Sequence, residues 1–229
     1  MGLHLGVDLS AWQKRPINWP VLFAVADFAY IKYGEDEGYK STAFAKQVTG
    51  ALAAAKPGDI VGPYHYAVPE IGDDPKVEAA RLVEAFKLYP FTMRPVLDFE
   101  EAFQGKRLPG GKPDPKYKLD AEYLVKWADA CVDEVERLIG FPPIFYTYAN
   151  FLVARRKEFL KSRLARCPLL MAKYNPVEPQ DCRPWKTWDG WQHTNAGKIA
   201  GYPVPIDLNR ATPAGFERFK VPSARTHCP

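Results

Sequence analysis

Residues 96–100 read Val96-Leu97-Asp98-Phe99-Glu100, a short apolar run that ends in two carboxylates two positions apart. In an extended strand, side chains two apart point to the same side. Asp98 and Glu100 are therefore expected on one face, with about 7 Å of rise between them, while Phe99 turns the other way. Two distant apolar runs end in the same manner, Gly6-Val7-Asp8 and Pro205-Ile206-Asp207. Acids repeated at the carboxyl ends of several strands point to an enzyme if those strands form a barrel, because that rim is where parallel barrels hold their reactive groups.

Outward from this run, short apolar segments alternate with segments of helical periodicity, the pattern of parallel βαβ units. The predicted strands are 3–9, 28–33, 60–67, 94–99, 143–148, 169–174, 190–194 and 205–208. Helices are predicted over 41–56, 75–89 and 121–139. In the last of these Leu124, Trp127, Ala128, Cys131, Val135 and Leu138 fall on one face. Ser41 and Asp120 are candidate caps, and Gly140 followed by Pro142 is a stop signal. The last two strands have no long helix between them, which predicts an irregular, incomplete (β/α) barrel. Pro63 lacks a ladder donor, so a bulge or a local loss of pairing is expected there.

At 229 residues the chain can bury roughly three quarters of its unfolded surface in one core. The expected organisation is one barrel domain over 1–212, with 213–229 as a tail packed on or extending from it. Residues 104–118, QGKRLPGGKPDPKYK, read as a long loop on the same rim as Asp98 and Glu100. The chain is 47% hydrophobic and 25% charged, and no apolar stretch approaches the ~18 residues of a membrane span. A net charge of +4 is too small to argue for nucleic acid. Cys131, Cys167, Cys182 and Cys228 form no CxxC pair and are expected as buried thiols, with a Cys167 to Cys182 bridge as the alternative. His4, His65, His193 and His227 are scattered, so neither a metal nor a cofactor is expected.

Three strands would thus deliver Asp8, Asp98, Glu100 and Asp207 to one mouth. Aromatics surround them: Trp12, Tyr64, Tyr66, Tyr146, Tyr148 and Trp191. Sugar rings stack their C–H faces on aromatic rings, and their hydroxyls need partners such as Gln13, Gln192 or Asn209. A cleft of this kind suits a glycan, and paired acids suit cleavage of a glycosidic bond.

The residues resemble the family 25 glycoside hydrolases, lysozymes of the N-acetylmuramidase type. The resemblance is carried by Gly6-Val7-Asp8-Leu9-Ser10 with Trp12-Gln13, Ala29-Tyr30-Ile31-Lys32, Val61-Gly62-Pro63-Tyr64-His65-Tyr66 and the run from Pro95 to Glu100. It continues through Ile144-Phe145-Tyr146-Thr147, Leu170-Met171-Ala172-Lys173-Tyr174, Trp191-Gln192-His193-Thr194 and Ile206-Asp207-Leu208-Asn209. It implies an α/β fold, a flattened, irregular TIM-like (β/α) barrel with eight strands and about five helices. It also implies hydrolysis of the β-1,4 bond between N-acetylmuramic acid and N-acetylglucosamine in peptidoglycan.

The family's acid/base glutamate falls on Glu100 and its other active-site acids on Asp8, Asp98 and Asp207. The substrate is expected on Trp12, Gln13, Tyr64, Tyr66, Tyr146, Trp191 and Gln192. A Thr-Glu-Gly turn often follows the family's second strand. This chain reads Gly34-Glu35-Asp36-Glu37-Gly38-Tyr39 there, so Glu35 and Glu37 both compete for its glutamate, and Glu37 is counted with the substrate-binding residues. The expected route is retaining, with the substrate's acetamido oxygen as nucleophile; a carboxylate nucleophile or an inverting water attack are the alternatives.

A non-catalytic glycan-binding barrel and a chitinase-like glycosidase are the competing readings. The second lacks the extra spaced aspartates, since Met93 to Leu97 contains none. The expected partner is the peptidoglycan glycan strand, met by a monomer with neither nucleic acid nor membrane insertion. Residues 1–6 carry no secretory pattern, which favours an endolysin released from the host cytoplasm over an exported enzyme whose leader was removed.

Overall fold

The computed structural model describes residues 2–36, 38–101 and 118–223. Glu37, Cys228 and residues 104–117 of the lysine-rich loop lie outside the described residues.

The strands are β1 (His4–Leu9), β2 (Phe28–Glu35), β3 (Tyr39–Lys40), β4 (Ile60–Tyr66), β5 (Val96–Asp98), β6 (Ile144–Tyr148), β7 (Leu169–Ala172), β8 (Gly190–Ile199) and β9 (Tyr202–Ala211). They bond in the order β1-β9-β8-β7-β6-β5-β4-β2-β3, and a further β1–β2 pairing closes eight of them into a barrel, leaving the short β3 as a flap on β2. The helices are α1 (Trp19–Leu22), α2 (Phe44–Ala54), α3 (Pro75–Lys87), α4 (Ala121–Ile139), α5 (Ala149–Ala154), α6 (Arg156–Phe159) and α7 (Pro213–Phe219). Among the described residues seven helices form where about five were expected; α2, α3 and α4 are long, and the other four have seven residues or fewer.

The eight predicted strands all form, but the last two differ from expectation. Strands β8 and β9 extend to ten residues each and make an antiparallel hairpin. Strand β9 also pairs antiparallel with β1, Val7 opposite Leu208, so the barrel is mixed where a parallel one was predicted. Asp207 is therefore in the middle of a strand, not at its carboxyl end. It still reaches the mouth, because a reversed strand carries its earlier residues to the rim where its parallel neighbours end. Pro63 keeps its place in β4 opposite Ile31, and the irregularity falls on the neighbouring strand, between Lys32 and Gly34.

Strand parity sorts the side chains into an interior and an outer layer. Phe28, Val96, Ile144 and Leu170 fill the lower interior together with Phe216 and Phe219 of α7, which plug the floor. Gly6 makes room for this filling, since a Cβ there would sit 2.2 Å from the Phe28 ring. Gly190 does the same for Phe219, at 2.8 Å. Outside the barrel, Leu97, Phe99, Phe145 and Met171 pack against Leu124, Trp127 and Cys131 of α4. Val7, Ile31 and Val61 pack with Phe44 and Val48 of α2.

Helix α4 begins where Asp120 accepts from the Glu122 and Tyr123 N–H groups and stops at Gly140, whose φ of 85° is left-handed. Ser41, in contrast, is not a cap. Its N–H is tied to the Tyr33 carbonyl, and α2 starts later, after Ala43, with no side chain bonded to its first N–H groups. Cys131, Cys167 and Cys182 are buried free thiols, without the alternative bridge.

Candidate active site

The alternation that buries Phe99 in the outer layer turns Asp98 and Glu100 inward, above the Val96 layer. Each has a buried oxygen, Asp98 Oδ1 and Glu100 Oε2, with no hydrogen-bond partner among the described residues. Across the mouth stand Asp8, at the end of β1, and Asp207, on the antiparallel β9. The register sets them side by side, one step beyond the Val7–Leu208 pair. The four acids picked from the sequence are thus brought to one mouth.

Asp8 is held by a ring of donors. Its Oδ2 accepts from Tyr30 Oη at 3.0 Å, Gln192 Nε2 at 2.9 Å and Asn209 Nδ2 at 2.8 Å. The Tyr30 hydroxyl is also 2.9 Å from Asn209 Oδ1, so its one proton is shared between two acceptors. Gln192 Oε1 in turn accepts from Tyr146 Oη and Tyr174 Oη, both at 2.8 Å, which fixes the amide orientation. These bonds immobilise Asp8 and occupy its inner oxygen.

All four acids are displaced upward. Burial raises Asp8, partly offset by its bonds from Asn209, Gln192, Tyr30 and Asp207. Asp207 is pushed up to about 8 by burial, by the Asp8 charge and by the proton it shares with Asp8. Burial and the Glu100 charge push Asp98 well above the usual range, against the pull of Lys32. Glu100 is raised to about 7 by burial first, then by Glu101 and Asp8, and is again opposed by Lys32. Like charges in a half-dry mouth cannot all ionise, so protons remain on this cluster near neutrality. A carboxyl kept protonated beside ionised neighbours can donate a proton to a departing oxygen.

The other predicted residues divide. Tyr64 and Tyr146 line the interior, with Tyr64 edge-on to Tyr30 at 5.6 Å. Tyr66 lies at the rim, where Lys32 Nζ sits 4.9 Å from its ring. Trp12 is 81% exposed on the loop after β1, free to stack on a ligand. Gln13 is committed locally, its Oε1 accepting from Ser10 N–H at 2.6 Å and from Ser10 Oγ at 3.2 Å. Trp191 has the opposite parity to Gln192 and donates its Nε1–H to the Lys173 carbonyl, and it lines a cavity of about 430 Å³ with Tyr174, His193 and Arg210.

Three residues were missed: Tyr30, Lys32 and Tyr174. The signal for the first two was available, since Phe28, Tyr30 and Lys32 share strand parity. Tyr174 lies beyond the end of β7, but it continues the inward parity of Leu170 and Ala172, so its signal was available as well. Two cavities adjoin the mouth, neither lined by any of the four acids. One, of about 370 Å³, lies under Trp12 with Lys32, Glu35 and Tyr39; another, of about 340 Å³, lies beside Tyr148, Tyr174 and Asn175.

The glycosyl hydrolases family 25 pattern matches residues 7–202, most of the chain. The chain belongs to this family. It is a glycoside hydrolase, with the barrel that places its carboxylates at one rim. Among curated proteins it is 27% identical over 210 residues to the uncharacterized Escherichia coli K12 protein YegX, spanning 89% of this chain and 68% of that one. A bacterial lysozyme from Streptomyces coelicolor shares the fold with a TM-score of 0.77 at 24% identity, over 93% of each chain. A muramidase from Acremonium alcalophilum aligns with a TM-score of 0.73 at 25% identity, over 91% of this chain and 93% of that one.

Proposed function

We propose that this family 25 hydrolase is a 1,4-β-N-acetylmuramidase that cuts peptidoglycan between N-acetylmuramic acid and N-acetylglucosamine. The observation that carries the reading is the cluster of four carboxyls at one mouth, with Glu100 held up to about 7 beside Asp98. The lysozyme and muramidase among similar structures support the choice of substrate. The catalytic unit spans residues 1–212, closed from below by α7 of the 213–229 segment.

Glu100 is assigned as the general acid. As the glycosidic bond breaks, its proton passes to the leaving oxygen, which is otherwise too basic to depart. The acetamido oxygen of the sugar attacks the anomeric carbon from the opposite face, giving a cyclic intermediate. Asp98 or Asp207 orients and charge-stabilises that amide, while Asp8 holds Asp207 in place through their shared proton. Water then opens the intermediate with Glu100, now ionised, as base. Two inversions give overall retention. Trp12, Tyr66 and Tyr146 are assigned to sugar contact together with Gln192.

Digestion of purified peptidoglycan by the wild type and by Glu100→Gln, followed by borohydride reduction and mass spectrometry, tests the reading. Reduced N-acetylmuramic acid ends from the wild type alone are expected. Reduced N-acetylglucosamine ends would place the cut at the other bond and overturn it.

A further inference from the structure

A cavity of about 650 Å³ lies away from the acids. It sits on the other side of the Ser10–Lys14 turn, between that turn and helix α2. Its size is that of a small-ligand pocket. Lys14, Arg15 and Lys46 border it, no acidic side chain does, and no ion pair joins these three cations to a carboxylate among the described residues. Ile17 and Trp19 give it an apolar wall.

A second observation is independent of the charges. Gln47, 6% exposed, lines this cavity, and its Nε2 donates to the Ser10 carbonyl at 2.9 Å. That bond fixes the amide, so Oε1 is the remaining atom, and it is buried with no partner. A buried acceptor left open is destabilising unless something donates to it. The N-terminus of α2 opens beside the same cavity, with Ala43 and Lys46 in the wall and no capping side chain. A ligand that fits this lining offers an N–H to Gln47 and a carboxylate to the cations, with small apolar groups for Trp19.

We propose that this cavity binds the peptide stem carried by the glycan strand, taking its amide N–H and its free carboxylates. This rests on the muramidase reading, because a stem hangs from each muramic acid that such an enzyme grips. The geometry allows it. Ala11 lines both this cavity and the one under Trp12. It is three residues from Asp8, so their Cα atoms are at most about 11 Å apart, and a peptide of four or five residues reaches roughly 13–18 Å. A stem leaving the cleft on the Trp12 side therefore crosses the turn into the cationic pocket. The enzyme then favours strands that still carry their peptides.

The test compares two substrates, glycan strands with intact stems and strands stripped of stems by an amidase, on the wild type and on Arg15→Ala/Lys46→Ala. On stem-bearing strands the double variant is expected to lose about tenfold or more in kcat/KM, through KM with kcat unchanged, and the loss should shrink at high salt. On stripped strands the two enzymes should agree. Arg15→Lys/Lys46→Arg should restore the preference, and a matching melting temperature should show that the alanine variant is folded. Equal loss on both substrates, or none on either, overturns the proposal while muramidase activity stands. A loss confined to walls retaining phosphate polymers would overturn it in favour of a phosphate ligand. A wild type that cuts neither substrate would remove the muramidase reading itself.

Discussion

The floor and the mouth of the barrel are built by the same strands and differ in everything else. Two residues separate them along each strand: Phe28 from Tyr30, Val96 from Asp98 and Ile144 from Tyr146. Below, aromatic and aliphatic side chains fill the space around Phe216 and Phe219, with glycines opposite to make room. Above, tyrosine hydroxyls and amides bond to carboxylates, and two carboxyl oxygens have no described partner. The floor supplies stability without chemistry. The mouth holds reactive groups in an arrangement that buries charge at a cost. Strand pleating lets one sheet do both, because a step of two residues stays on the same face while moving about 7 Å toward solvent.

The sharpest way to break this contrast is a pair of variants with opposite effects. Glu100→Gln should reduce turnover by about 10²–10⁴-fold, the usual contribution of a general acid, with no loss of thermal stability. Near-normal activity on purified glycan strands would remove Glu100 from the assigned role. Phe28→Ala, one layer below Tyr30, should instead cost about 3–5 kcal/mol of stability by opening a cavity among Phe216 and Phe219. Its urea midpoint reports this, and an unchanged midpoint would mean that the floor is loosely packed.

A smaller effect sharpens the account of the mouth. The Asp207 carboxyl is raised to about 8 in the folded chain, so its contribution to stability is present at low pH and fades as pH climbs from about 4 towards 8. Asp207→Asn keeps a donor for Asp8 and removes this titration. The fall in melting temperature between pH 5 and pH 8 should therefore be smaller than in the wild type by about 5 °C or more. An identical fall would place the strain on the other acids.

The smallest expected change is in the pH profile of Lys32→Met. Lys32 holds Glu100 and Asp98 down, so its loss should move the descending limb of kcat/KM, expected near pH 7, upward by about one unit or less. No movement would mean that the ion pair of Lys32 with Glu35, at 2.6 Å, already absorbs its charge.

Much of the barrel was legible because its strands are short, apolar and separated by helices of clear period. The four acids were legible as strand ends, and three of them are at or just beyond such ends. Asp207 was found for a reason that does not hold, because nothing local in Ile206-Asp207-Leu208 distinguishes a parallel strand from an antiparallel one. Trp191 and Gln192 are adjacent in sequence, and strand parity alone sends one to the outer core and the other to Asp8. Ser41 has the chemistry of a cap, yet its backbone is already bonded to β2.

By itself the sequence determined the element types, the family and the identity of the acids, since these depend on local periodicity and on ordered motifs. Only the tertiary structure decided the direction of β9, the plugging of the floor by α7, the donors that hold Asp8 and the cationic cavity behind the Ser10–Lys14 turn. Each of those joins residues far apart in the chain, Asp8 with Asn209 or Lys14 with Lys46, and pairings at that range are set by packing and closure of the whole barrel.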